Sequence, residues 1–165
     1  MPFTTVVDKA AGDVFTEAMW DTYIKDNLNW LAAQFADELT YDQITADVTV
    51  SATTEATATT VITAAAVTCD GTTPVWVSFG FGRTDCPISD YIDFWLYQDG
   101  ASIGRVARTT TQSVVAGRRR LTPAAGSRTF SIRATRAAGN RVITCGAGGL
   151  GTWPPGFIRV VKAAA

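Results

Sequence analysis

The sequence predicts a mainly β fold, an N-terminal amphipathic helix followed by an antiparallel β-sandwich. A jelly roll is the leading architecture and an immunoglobulin-like sandwich the second. Three observations predict it. Apolar residues recur at helical spacing between Trp20 and Phe35. From Ala46 onward β-branched residues dominate and that period disappears. Turn residues then divide the chain into short strands at intervals of about 8–15 residues, with no helix between them, which is the pattern of sandwiches and jelly rolls. The chain accordingly divides into residues 1–45, an arm and an assembly or docking helix, and residues 46–165, the sandwich.

Met1 to Gly12 is a Thr/Val-containing arm without a clear period. Asp13 or Thr16 can cap the helix that follows, and Glu17 in its first turn suits the positive end of the helix dipole. The helix should run from about Thr16 to Glu38. Trp20, Ile24, Leu28, Leu31 and Phe35, spaced 4, 4, 3 and 4, form one apolar stripe. Met19, Tyr23 and Trp30 make a second band beside it. Two bands exceed the apolar face of an ordinary surface helix and need more than one burial partner. Trp20, Tyr23, Ile24, Leu28, Trp30, Leu31 and Phe35 are therefore the expected oligomer or docking interface.

The strands are expected near Asp47–Ser51, Ala56–Thr68, Val75–Phe81, Tyr91–Gln98, Ser102–Thr109, Gln112–Leu121, Arg128–Ala137, Arg141–Gly146 and Gly156–Val161. Between them lie Cys69-Asp70-Gly71, Gln98-Asp99-Gly100, Pro123-Ala124-Ala125-Gly126 and Ala138-Gly139-Asn140. Asp99-Gly100 and Gly139-Asn140 have hairpin chemistry. Alternation puts Phe130, Ile132 and Ala134 on one face and Thr129, Ser131, Arg133 and Thr135 on the other.

Bulk properties narrow the function. At 165 residues, 47% hydrophobic and 18% charged, the chain fits one domain with an appendage and is not disordered throughout. No apolar run reaches the roughly 20 residues of a membrane span, and Met1 to Asp13 lack the features of a secretion signal. A protein made and first used in a cytoplasm is expected. The net charge of −1 hides an asymmetry: residues 1–50 carry nine acids and two bases, residues 51–165 six acids and twelve bases. Such a split suggests two parts that face different partners, or each other, with solvated charged faces the equal alternative. Cys69, Cys86 and Cys145 read as buried thiols, with a Cys69–Cys86 or Cys86–Cys145 bridge open in an oxidising environment.

Chemistry-bearing motifs are few. Gly146-Ala147-Gly148-Gly149-Leu150-Gly151 spells G-x-G-x-x-G, but Pro154 and Pro155 follow where a dinucleotide site needs a helix. A tight loop anchored by Trp153 is expected instead. Arg118-Arg119-Arg120 lacks the interleaved aromatics of a nucleic-acid groove and reads as a basic strand edge or a contact for acids. The absence of histidine removes the usual general base. Asp85, Asp90 and Asp93 near Cys86 lack EF-hand spacing and read as a surface loop. No enzyme, cofactor or metal site is expected.

The segment from Gly12 to Leu31 resembles a recurrent N-terminal motif of tailed-phage virion proteins. In that motif a glycine and a short hydrophobic-Thr-x-Ala step precede W-[ND]-x-Y-[hydrophobic]-[basic]-D-N-[hydrophobic]-x-x-L. Trp20, Tyr23, Asp26, Asn27, Leu28 and Leu31 fall in place, and Asp21 stands where asparagine is commoner. The remainder is similar in style to small jelly rolls of the tumour-necrosis-factor and C1q type, which implies a trimer. Together these resemblances imply a virion structural protein, first a trimeric capsid decoration (cement) protein outside the head, partnered by the major capsid protein. The alternative is a tail-fibre or tail-tip protein that binds a host receptor or surface glycan. Exposed Trp76, Trp95, Tyr97 or Trp153 clustered on a loop face would favour the latter. Neither nucleic acid nor membrane is an expected partner.

Overall fold

The computed structural model describes residues 38–148 and 152–163, together with Ile24, Lys25 and Leu28. The chain divides between Asp37 and Glu38 into two units, and the β fold belongs to the second. Its strands are β1 (Glu38–Ile44), β2 (Val48–Val50), β3 (Thr59–Thr63), β4 (Val67–Cys69), β5 (Val75–Phe81), β6 (Arg83–Thr84), β7 (Ile92–Gln98), β8 (Ala101–Thr109), β9 (Val115–Leu121), β10 (Gly126–Arg128), β11 (Phe130–Arg136), β12 (Arg141–Thr144) and β13 (Gly156–Lys162).

Two four-stranded antiparallel sheets dominate, ordered β1-β13-β5-β9 and β3-β11-β7-β8. Smaller sheets, β2-β12-β6 and β10-β4, accompany them. Along the chain the eight strands of the two large sheets alternate between them, except where β7 passes directly to β8. That passage is a two-residue hairpin in which Gln98 pairs with Ala101. Asp99 and Gly100 both have positive φ, 51° and 82°, the backbone a type I′ turn requires.

The core lies where the inner faces meet. Val75, Val77, Phe79 and Phe81 of β5, with Ile158 and Val160 of β13, are all buried. So are Ile92, Phe94 and Leu96 of β7 and Phe130, Ile132 and Ala134 of β11. The Phe94 ring lies 6.0 Å from that of Phe79 and 5.6 Å from that of Phe81, joining one sheet to the other. Centroid spacings of this kind add attraction beyond area burial. The result is a mainly β, sandwich-like body.

Several expectations change in detail. Glu38 opens a strand rather than closing a helix, and β1 lies ahead of the expected sandwich boundary at residue 46. The expected strand Ala56–Thr68 is two strands, preceded by a 3-10 turn at Glu55–Thr57. Arg128–Ala137 likewise divides, because β10 pairs with β4 while β11 pairs with β3 and β7. The Gly139-Asn140 turn makes no hairpin: β11 leaves for β12, which pairs with β2 and β6. Apart from Ile24, Lys25 and Leu28, which take helical backbone, the expected helix lies outside the described residues.

Candidate interaction surfaces

The two large sheets present different outer faces. On β3-β11-β7-β8 many outward side chains engage one another, although the buried Nε of Arg133 has no hydrogen-bond partner among the described residues. Asp93 is buried and accepts from Nε and a terminal nitrogen of Arg108, both at 2.6 Å, with Arg105 at 3.4 Å. The Arg108 guanidinium lies 4.0 Å from the Tyr91 ring, and that of Arg133 lies 4.1 Å from the Tyr97 ring. Trp95 donates from Nε1 to Thr135 Oγ1 at 3.0 Å, and the Tyr97 hydroxyl donates to the Glu55 carbonyl oxygen. Cation–π stacking and charge-assisted bonds make this layer a structural lattice.

The outer face of β1-β13-β5-β9 carries Arg118 over Trp76 and an Arg159–Glu38 ion pair, and beside them an open apolar patch. Tyr41 and Phe157 stack with centroids 5.9 Å apart. Gly80 pairs with Phe157 across β5 and β13. A Cβ on Gly80 would come within 2.6 Å of Phe157 Cε1, so the bare glycine lets the ring lie flat on the sheet. Beside Phe157, Tyr41, Ala116, Val114 and Pro154 enclose a recess of about 280 Å³. It shares Gly82 and Val114 with a second recess that holds Arg83 and Trp153. It shares Ala116 and Phe157 with a third that ends at Arg118. The three form one aromatic groove with an arginine at each end. Val114 is 69% exposed and Trp153 42%, an uncommon placement for large apolar groups gathered on one surface.

The glycine-rich segment shapes one end of this groove. Gly146 N donates to Pro154 O at 3.2 Å and Gly148 N to Trp153 O at 3.1 Å, so the loop folds back on its own exit. Arg83 lies 5.6 Å from the Trp153 ring.

Of the expected interface residues, Ile24 is half-buried and Leu28 exposed, while Trp20, Tyr23, Trp30, Leu31 and Phe35 lie outside the described residues. The four named aromatic residues of the sandwich do not cluster: Trp95 and Tyr97 belong to β7, Trp76 to β5 and Trp153 to the loop before β13. Trp76 lies under Arg118, 4.7 Å from its guanidinium. Tyr41, Val114, Ala116 and Phe157 were not singled out from sequence. The available signal was Phe157 and Val161 alternating with the buried Ile158 and Val160, which leaves apolar residues on both faces of one strand.

Within the Asp85, Asp90 and Asp93 group, Asp90 and Asp93 are buried and take separate structural roles, while Asp85 is exposed. Buried Asp90 accepts from Arg141 at 2.6 Å, from Tyr91 N at 2.7 Å and from Ala138 N at 3.2 Å, tying the loop before β7 to the turn after β11. Burial pushes its carboxyl up, but the bonds from Tyr91, Arg141 and Ala138 outweigh this and hold it below the ordinary value. Among the described residues no three His, Cys, Asp or Glu side chains converge as metal ligands. Cys69, Cys86 and Cys145 are buried free thiols, each pushed up chiefly by burial, the condition of an unreactive cysteine. No protein-family model and no curated protein matches the chain.

Proposed function

We propose that the chain is a structural protein of a tailed-phage particle, a trimeric decoration (cement) protein bound to the outside of the head and stabilising the major capsid protein lattice. The observation that carries this reading is the Gly12–Leu31 motif placed directly before a β body. The strand order supports it. With β1, β3, β5, β7, β8, β9, β11 and β13 taken as eight successive strands, the sheets read 1-8-3-6 and 2-7-4-5. That is the interleaved order of two Greek keys wound into a jelly roll, an architecture common in viral coat proteins. The mutually engaged outer face of one sheet suits a rigid knob.

A repeated weak contact suffices for such a role, because many copies on one lattice act together. Imaging of particles that carry the labelled protein tests the reading. Density on the capsid facets is the expected outcome, and density confined to the tail tip overturns it. A tail-tip glycan-binding protein is the second reading. Exposed Trp153 beside Arg83, Gln112 and Ser113 favours it, since an open aromatic ring flanked by hydrogen-bonding groups suits a sugar.

A further inference from the structure

The open aromatic groove on the outer face of β1-β13-β5-β9 has no assigned occupant. We infer that it receives a second copy of this chain, through the acidic, aromatic segment 13–37 of that copy. The inference rests on the self-association contained in the functional reading and names the surface that takes part in it.

Charge is the first argument. Residues 13–37 carry five acids and one base, a net −4, whereas residues 38–165 carry nine acids and twelve bases, a net +3. The groove ends at Arg83 on one side and Arg118 on the other, and the exposed Arg120, two residues further along β9, faces the same side as Arg118. Opposite potentials of this kind steer association and fix its register. Chemistry is the second. The floor offers Phe157, Tyr41, Val114 and Pro154, apolar partners for Trp20, Ile24, Leu28, Leu31 and Phe35. Aromatic anchors in such recesses dominate the energy of protein interfaces.

The experiment uses the full-length chain with a benzophenone amino acid in place of Ala116. Unlabelled and nitrogen-15-labelled chains are mixed in equal amounts, irradiated and digested. Crosslinked peptides of mixed label that join position 116 to residues 13–37 are the expected result. Crosslinks in a stable oligomer that fall elsewhere, or that always carry a single label, overturn the inference and leave the virion reading standing. The virion reading fails separately, on particle imaging. Val114→Asp supplies a second measurement, since Val114 is 69% exposed and its loss should leave the fold intact. Light scattering should then show self-association weakened by about tenfold or more with an unchanged unfolding midpoint. An oligomer indifferent to Val114→Asp, or a monomer whose groove captures glycans from an array, also overturns it.

Discussion

Asp90 concentrates more bonding than any sequence motif near it suggested. It lies beside Cys86 and Asp85 in the chain, yet its partners are Arg141 and Ala138, about fifty positions away. Removing it leaves Arg141, itself largely covered, without its counter-charge. Asp90→Ala should therefore cost about 2 kcal/mol at neutral pH, measured by urea unfolding. The pH dependence follows from the direction of the shift. The folded carboxyls of Asp90 and Asp99 sit below the ordinary value, the latter through Thr129 N and Arg128. Their contribution is complete above the unfolded pKa and is lost as pH falls through the folded one. Unfolding free energy should decline below about pH 4, the ordinary carboxylate range, and Asp90→Ala should flatten that decline. An unchanged slope in the variant would contradict the assignment.

At the scale of the element, the two faces of β7 behave differently. Phe94 and Leu96 point into the core, while Asp93, Trp95 and Tyr97 point outward and are held by Arg108, Thr135 and Glu55. Phe94 touches Phe79 and Phe81 across the sandwich. Phe94→Ala should destabilise by about 3–5 kcal/mol, the usual range for emptying a buried aromatic site, visible as a fall in denaturant midpoint with an unchanged slope. The hairpin to β8 carries two register shifts, one between Phe94 and Trp95 and one between Leu96 and Tyr97. Gly104, at φ 118°, lies at the second of these irregularities. The Asp99-Gly100 turn was legible in the sequence because its chemistry is local. The bulges were not, because they depend on which partner residue stands opposite.

For the whole molecule, a cement role makes a prediction that a receptor-binding role does not. Particles assembled without the protein should form but lose their contents at lower temperature or lower salt than complete ones. Particles that remain equally robust yet fail to adsorb to the host would favour the tail-tip reading. The two large outer faces are not alike. Both carry arginines stacked on aromatics, and that of β1-β13-β5-β9 also presents an open apolar recess.

The sequence by itself determined that the chain is mainly β, where most strands lie, and that Val75–Phe81 and Phe130–Ala134 alternate into a core. These follow from side-chain periodicity and turn chemistry, which act over a few residues. It missed β1 because Glu38-Leu39-Thr40-Tyr41 continues the acidic, apolar composition of the segment before it. Only pairing with β13, more than a hundred residues later, makes those residues a strand. Which strands share a sheet, which arginine meets which carboxylate, and that Tyr41, Val114 and Phe157 meet in one groove were decided by tertiary structure alone. Each depends on contacts between residues distant in the chain, and no local pattern encodes such a partner.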